Sequence, residues 1–84
     1  MAHALTITFF GRLADSVGRE VSIDVDMPCS VATLRERLAK SLPQISDDLI
    51  NPRIRVCVAD TLVPDDFIIA KEGRIEILSP LSGG

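Results

Sequence analysis

Two stretches near the start of the chain alternate between apolar and polar residues. In residues 5–10 every second side chain from Leu5 is apolar, and in residues 20–26 the same holds from Val21. Because neighbouring side chains of a strand point to opposite faces of a sheet, each stretch is predicted to be a strand with one buried face. Residues 12–19 are predicted to form a loop or short turn, which allows the two strands to pair as a hairpin.

One amphipathic helix is predicted in the middle of the chain. Val31, Leu34 and Leu38 recur at spacings of three and four residues, which places them on one side of a helix. Ser30 is the predicted N-cap, and Pro43 is expected to end the helix near residue 41. The charged side chains of this segment are expected to face water: Arg35, Glu36, Arg37 and Lys40.

The second half of the chain is predicted to supply the remaining strands. Residues 54–58 and 74–79 alternate like the first two strands, and a short strand over residues 61–63 follows a turn at residues 59–60. Residues 44–52 are predicted to be an irregular connection. One helix with four or five strands predicts an α+β fold, in which the one main helix packs on one face of a mixed sheet. If the first and last strands lie centrally in it, they pair in parallel.

Length and charge narrow the class of protein. The 84 residues suffice for one domain, predicted over residues 1–79, followed by a flexible, extended tail over residues 80–84. The net charge of −3 argues against a nucleic-acid partner. No run of residues approaches the roughly 20 apolar positions of a membrane span. No secretory leader precedes the first strand, so we expect a cytoplasmic location.

The sequence shows no side-chain pattern typical of a catalytic or metal site. His3 is the single histidine, and we expect it in a loose N-terminus, where it is a poor candidate for an oriented base. Cys29 and Cys57 fit no metal-binding or redox spacing and are interpreted as packing residues. The aspartate pairs at 47–48 and 65–66 are expected in solvated loops. We therefore expect no catalytic residue, no metal, no permanently bound cofactor and no enzymatic activity of the chain alone.

Several apolar side chains are predicted on the sheet face that the helix leaves uncovered. By strand parity these are Phe10, Cys57, Leu62 and Leu78. Exposed apolar patches usually mark partner sites, so Phe10, Leu62 and Leu78 are candidate partner-binding residues. The alternative is that residues 12–19 cover them, or that they are simply scattered.

The end of the sequence is a candidate chemical site. Residues 80–84 reach about 17 Å when fully extended. No long side chain follows Leu81, which suits threading into a narrow channel of another protein, a role we assign to Pro80, Leu81, Ser82 and Gly83. The Gly84 carboxylate is then the group available for activation, by joining to AMP as a mixed anhydride. The alternative is an ordinary frayed terminus.

Four segments together carry a resemblance to a known family. They are residues 7–13 (ITFFGRL), the helix with its apolar stripe, residues 61–63 (TLV) and residues 77–84 (ILSPLSGG). Over essentially its whole length the chain resembles the small subunit of molybdopterin synthase, a ubiquitin-like sulfur carrier of the β-grasp fold. It departs from the common family pattern at Ala59, where asparagine is frequent, and in the tail, where Leu78, Ser79 and Leu81 replace an aromatic residue, a proline and a valine.

The resemblance implies a two-stage cycle. An adenylating enzyme of the ubiquitin-activating type would use ATP to convert the Gly84 carboxylate to an acyl adenylate, and a persulfide donor would then yield a thiocarboxylate. The large subunit of molybdopterin synthase would receive the tail and transfer the sulfur to cyclic pyranopterin monophosphate, in molybdenum cofactor biosynthesis. Two alternatives stay open: a sulfur carrier for thiazole or cysteine synthesis, and a ubiquitin-like protein modifier joined through Gly84 to lysines.

Overall fold

The described part of the chain begins and ends with strands, and the main helix lies between them. The computed structural model describes residues 2–71 and 73–79. In chain order the elements are β1 (Ala2–Phe9), α1 (Arg12–Val17), β2 (Glu20–Asp26), β3 (Cys29–Ser30), α2 (Val31–Ser41), a 3-10 turn (Pro43–Ile45), α3 (Ser46–Leu49), β4 (Arg55–Val58), β5 (Thr61–Val63), β6 (Ile68–Ile69) and β7 (Arg74–Leu78). The predicted tail, residues 80–84, lies outside the described residues.

The main sheet has five strands in the spatial order β2-β1-β7-β4-β5. β1 and β7 pair in parallel at its centre, with Phe9 opposite Ile77, and the other pairs are antiparallel. The prediction of a mixed sheet with the first and last strands in the middle is confirmed. Because these two strands are parallel, their last residues lie at the same end of the sheet.

β1 and β2 form the predicted hairpin, with Leu5 opposite Ile23. β1 starts earlier than predicted, and His3 is not in a loose terminus but in this strand, opposite Val25. The prediction of a loop between the two strands is wrong, since residues 12–17 form the short helix α1. Leu13 is buried in the core, and this apolar contact explains why the connection is an ordered helix.

α2 has the predicted bounds and the predicted cap. The Ser30 Oγ accepts a hydrogen bond from the Thr33 backbone N–H at 3.1 Å, and the helix ends at Ser41. Its apolar stripe is buried against the sheet: Val31, Leu34 and Leu38. Three of the four charged residues face water as predicted: Glu36, Arg37 and Lys40.

The fourth, Arg35, is buried, which corrects the prediction that it faces water. Its Nη1 donates to the carbonyl oxygens of Leu49 at 3.0 Å and Asn51 at 3.2 Å. Its Nη2 donates to the carbonyl oxygen of Ile54. Its Nε lies 3.1 Å from the Asp65 Oδ1, an ion pair without hydrogen-bond geometry. A buried guanidinium is tolerated here because backbone oxygens surround it.

The connection after α2 is more regular than predicted. It consists of the 3-10 turn and α3, which bring Ile45 and Leu49 into the core. Ile50, in contrast, is 64% exposed. The connection thereby covers one end of the sheet's inner face and supplies the carbonyl groups that hold Arg35.

The predicted turn between β4 and β5 is confirmed. Val58 lies opposite Thr61, and the two residues between them, Ala59 and Asp60, have φ angles of 52° and 66°. Two consecutive positive φ angles are typical of a type I′ turn, whose twist suits a hairpin. A further small sheet, which the sequence did not predict, pairs β3 with β6, with Cys29 opposite Ile69.

Candidate functional site

β7 leads the chain to the end of the sheet where β1 also stops. Ser79 follows β7 and lies beside the turn that starts at Phe10, because β1 and β7 are paired up to Phe9 and Ile77. The Ser79 Oγ donates to the Phe10 carbonyl oxygen over a long 3.4 Å. Ser79 is the last described residue before the predicted tail. Its own residues lie outside the described ones: Pro80, Leu81, Ser82, Gly83 and Gly84.

Gly11 forms the turn next to Ser79. Its φ of 64° lies in the left-handed region that favours glycine, and its carbonyl oxygen accepts hydrogen bonds from the N–H groups of Ala14 (3.1 Å) and Asp15 (3.3 Å). The turn borders a pocket of about 430 Å³ lined by Phe9, Phe10, Gly11, Ala14, Asp15 and Arg19. A fixed backbone turn and an open pocket therefore adjoin the last described residue before the tail.

The strand register shows which side chains share the sheet face that α2 leaves uncovered. One row across four strands consists of Thr8, Glu76, Cys57 and Leu62. In the next row Leu78 lies opposite Arg55. Phe10 comes directly after Phe9, the last residue of β1, which lies opposite Ile77. Phe10 therefore lies at the same end of the sheet as Leu78.

This face is less uniformly apolar than the sequence suggested. Leu62 is 49% exposed, whereas Phe10 and Leu78 are partly buried and Cys57 is buried. Glu76 and Arg55 lie among these residues, so the apolar side chains form two small groups separated by charges. Leu62 and Cys57 form one group beside the edge strand, and Phe10 and Leu78 lie near the exit of the tail.

The two cysteines are buried and not bonded to each other. Burial raises the pKa of the Cys29 thiol. Burial likewise raises the pKa of the Cys57 thiol, and the carboxylates of Glu76 and Asp60 raise it further, against a smaller opposing effect of Arg55. Both thiols therefore stay protonated at neutral pH, which disfavours a nucleophilic or redox role.

Two further properties of the described residues concern metal ligands and membrane-spanning helices. Within residues 2–71 and 73–79, no three His, Cys, Asp or Glu side chains come close enough to hold a metal ion. No helix among them is long and apolar enough to cross a membrane.

Sequence reasoning missed two features of the surface. Gly11 and Ser79 lie in contact, although 68 positions separate them, and only the parallel pairing of β1 with β7 brings them together. Phe67 and Ile68 are exposed beside a pocket of about 390 Å³ at the opposite end of the sheet. The sequence shows that residues 67–69 are apolar, but it does not show at which end of the sheet they lie.

A family match identifies the class of protein. The sequence profile of the ThiS family matches residues 7–84, which is nearly the whole chain. The chain belongs to the ThiS family of ubiquitin-like sulfur carriers. Proteins of this family are generally not catalysts themselves, and they partner with adenylating enzymes and with large subunits of sulfurtransferases or synthases. No curated protein gives a significant match to the chain.

Solved structures share the fold of this ThiS-family chain at low sequence identity. SAMP1 from Haloferax volcanii is 24% identical, with a TM-score of 0.81, over 98% of this chain and 100% of its own. A Pyrococcus furiosus protein assigned as molybdopterin converting factor subunit 1 is 16% identical, with a TM-score of 0.76, over 93% of this chain and 98% of its own. These similarities confirm the predicted ubiquitin-like β-grasp fold.

Proposed function

We propose that this ThiS-family carrier serves as the small subunit of molybdopterin synthase. In this proposal the Gly84 carboxylate is adenylated at the expense of ATP, converted to a thiocarboxylate, and then donates its sulfur to cyclic pyranopterin monophosphate. The observation that carries the proposal is the family match, which extends through Gly84. The resemblance of residues 7–13 and 77–84 to molybdopterin synthase small subunits supports this choice of pathway.

The geometry supports a division of labour between head and tail. Leu62, Phe10 and Leu78 lie on the sheet face that α2 leaves free, and they provide the docking contacts with the adenylating enzyme and with the synthase large subunit. Ser79, the last described residue before the tail, lies at the same end of the sheet as Phe10 and Leu78, which supports a partner that docks on this face and also receives the tail.

The carrier supplies the sulfur, and its partners supply the catalytic groups. Both cysteines are buried with raised thiol pKa values, so neither competes with Gly84 as the carrier of sulfur. The general acids and bases of the transfer therefore belong to the large subunit. The fold shared with the Pyrococcus furiosus converting factor subunit agrees with this assignment.

A second candidate function is protein modification through Gly84. The observation in its favour is the fold shared with SAMP1, whose full name is small archaeal modifier protein 1. A modifier would pass its activated Gly84 to amines, whereas a carrier passes it to sulfur. The chain itself offers only Lys40 and Lys71 as acceptors, so conjugation to itself would be limited.

One reconstitution distinguishes these functions. The thiocarboxylated protein is mixed with a molybdopterin synthase large subunit and cyclic pyranopterin monophosphate, and pterin products and intact protein mass are followed. We expect molybdopterin to appear as Gly84 returns to a carboxylate. A variant without Gly84 is the control, and it should remain folded but uncharged.

Other outcomes would redirect the assignment. Charging without any pterin product, together with stable lysine conjugates in a cell extract, would favour the modifier. Charging without either product would favour a carrier for thiazole or cysteine synthesis. A wild-type protein that gains no sulfur with an adenylating enzyme, ATP and a sulfur donor would refute the carrier function itself.

A further inference from the structure

Ser79, the residue that precedes the tail, lies close to the turn at Gly11, where an added side chain would be crowded. A Cβ atom built on Gly11 would lie 3.0 Å from the Ser79 Oγ. Ordinary contacts of a Cβ atom begin at about 3.4 Å, so the Ser79 Oγ would have to move by a few tenths of an ångström. Both the positive φ of Gly11 and the close approach of Ser79 therefore disfavour a larger residue at this position.

The turn that contacts Ser79 is held in place on both sides. The Gly11 carbonyl oxygen accepts hydrogen bonds from Ala14 and Asp15 in the first turn of α1. α1 is anchored in turn by its buried Leu13. On the strand side, the Phe9 N–H donates to the Arg19 carbonyl oxygen at 2.8 Å. Ser79 thus leaves the sheet against a fixed backbone and not against a mobile loop.

We propose that Gly11 and Ser79 are positioning residues that set the direction in which the tail leaves the sheet. The proposal rests on the proposed function, because direction matters only if Gly84 must reach a partner's active site. The turn at Gly11 restricts the positions that Ser79 can take on one side. The hydrogen bond from the Ser79 hydroxyl to the Phe10 carbonyl oxygen keeps Ser79 next to this turn. Neither residue touches the reacting atoms.

The length of the tail amplifies a small error at Ser79. Residues 80–84 span about 17 Å when extended in a channel, so a change of about 10° at their start moves Gly84 by about 3 Å. Misplacing a reacting group by about 1 Å can cost about 100-fold in rate. A methyl group added at Gly11 should therefore impair charging although it lies far from Gly84.

The structure supplies a matched control at Gly18. Gly18 also has a positive φ, 95°, but a Cβ added there meets no atom within 4 Å. Gly11→Ala and Gly18→Ala therefore share the backbone strain of alanine at positive φ. Only Gly11→Ala adds the contact with Ser79. A difference in charging between the two variants can therefore be assigned to that contact and not to a loss of stability.

The test measures steady-state charging of Gly84 with an adenylating enzyme, ATP and a sulfur donor. For Gly11→Ala we expect kcat to fall about tenfold with KM unchanged, because the docking face is intact while the carboxylate is misplaced. Gly18→Ala should keep the wild-type kcat. Adding Ser79→Ala to Gly11→Ala removes the obstructing Oγ and should restore kcat to that of Ser79→Ala alone.

Three results would overturn the proposal: equal loss of kcat in Gly11→Ala and Gly18→Ala, no recovery in the double variant, or a change confined to KM.

Amide chemical shifts of residues 78 and 79 give a second measurement that does not need charging. They should move in Gly11→Ala and stay in place in Gly18→Ala. If the wild-type protein itself is not charged, the proposed function fails, and the shifts alone then report whether the contact exists.

Discussion

At the scale of single residues, Arg35 is the most consequential side chain that lies outside the candidate site. It is charged and yet buried, and its guanidinium donates to backbone oxygens of the last residue of α3, Leu49, and of two residues between α3 and β4, Asn51 and Ile54. It also pairs with Asp65 in the loop before β6. A planar group with several fixed donors can serve these acceptors together, which a lysine cannot. Arg35 therefore joins α2 to two loops that pack on it.

Replacing Arg35 should lower the free energy of unfolding more than replacing an exposed charged residue does. We expect Arg35→Ala to lower the free energy of unfolding by about 3 kcal/mol, because it leaves buried carbonyl oxygens without donors. Urea denaturation followed by circular dichroism measures this loss. Arg37→Ala is the matched control on the same helix, since Arg37 is exposed and makes one hydrogen bond, to the Asp24 carbonyl oxygen. Its cost should stay below about 1 kcal/mol, and similar losses in both variants would contradict the assigned role.

At the scale of elements, the β4–β5 hairpin combines a favourable turn with an unfavourable residue. Its type I′ geometry requires positive φ at both central positions, and Ala59 has a φ of 52°. The Cβ of alanine is strained in this region, whereas asparagine adopts it more easily. The asparagine that is common at this position among the resembling small subunits therefore has a conformational reason.

Ala59→Asn should stabilise the protein. We expect the free energy of unfolding to rise by about 0.5–1 kcal/mol, as a thermal shift of about 4 °C. Ala59→Val tests the same backbone in the opposite direction, because a β-branched residue at positive φ is more strained than alanine. It should lower the melting temperature. If both variants melt like the wild type, the turn does not have the positive φ that the structure shows.

At the scale of the whole molecule, one face of the sheet is packed and the other is available. α2 and the 43–50 connection bury the inner face, while the outer face holds Leu62, Phe10 and Leu78 among charged residues. The tail starts at one end of this outer face, beside Ser79. Under the proposed function, the candidate docking residues and the tail would face the same partner.

Leu62 provides the sharpest test of this docking face. Leu62→Asp should weaken binding to the adenylating enzyme by about 2 kcal/mol, roughly 30-fold in Kd, because apolar anchors dominate such interfaces. Titration calorimetry or competition in the charging reaction measures the change. Ile50→Asp is the control, since Ile50 is also an exposed apolar residue but lies in the connection after α3. Equal weakening by both substitutions would show that the effect is not specific to this face.

The sequence by itself determined the strands of the main sheet, the main helix and the class of protein. These features depend on local patterns: the alternation in residues 5–9 and 74–78, and the apolar stripe from Val31 to Leu38. Each pattern marks the side chains that are buried when the element packs in the core. The family match likewise follows from the sequence of residues 7–84, and the candidate role of Gly84 follows from the Gly-Gly ending.

Only the tertiary structure decided the features that depend on distant residues. Arg35 looked like a surface charge because helix periodicity gives no sign of backbone oxygens arriving from residues 49–54. Residues 12–17 looked like a loop because their helix depends on the burial of Leu13 in a core built elsewhere. Gly11 meets Ser79 only through the parallel pairing of the first and last strands. Such contacts carry no local pattern, since packing and strand pairing, and not spacing along the chain, bring their partners together.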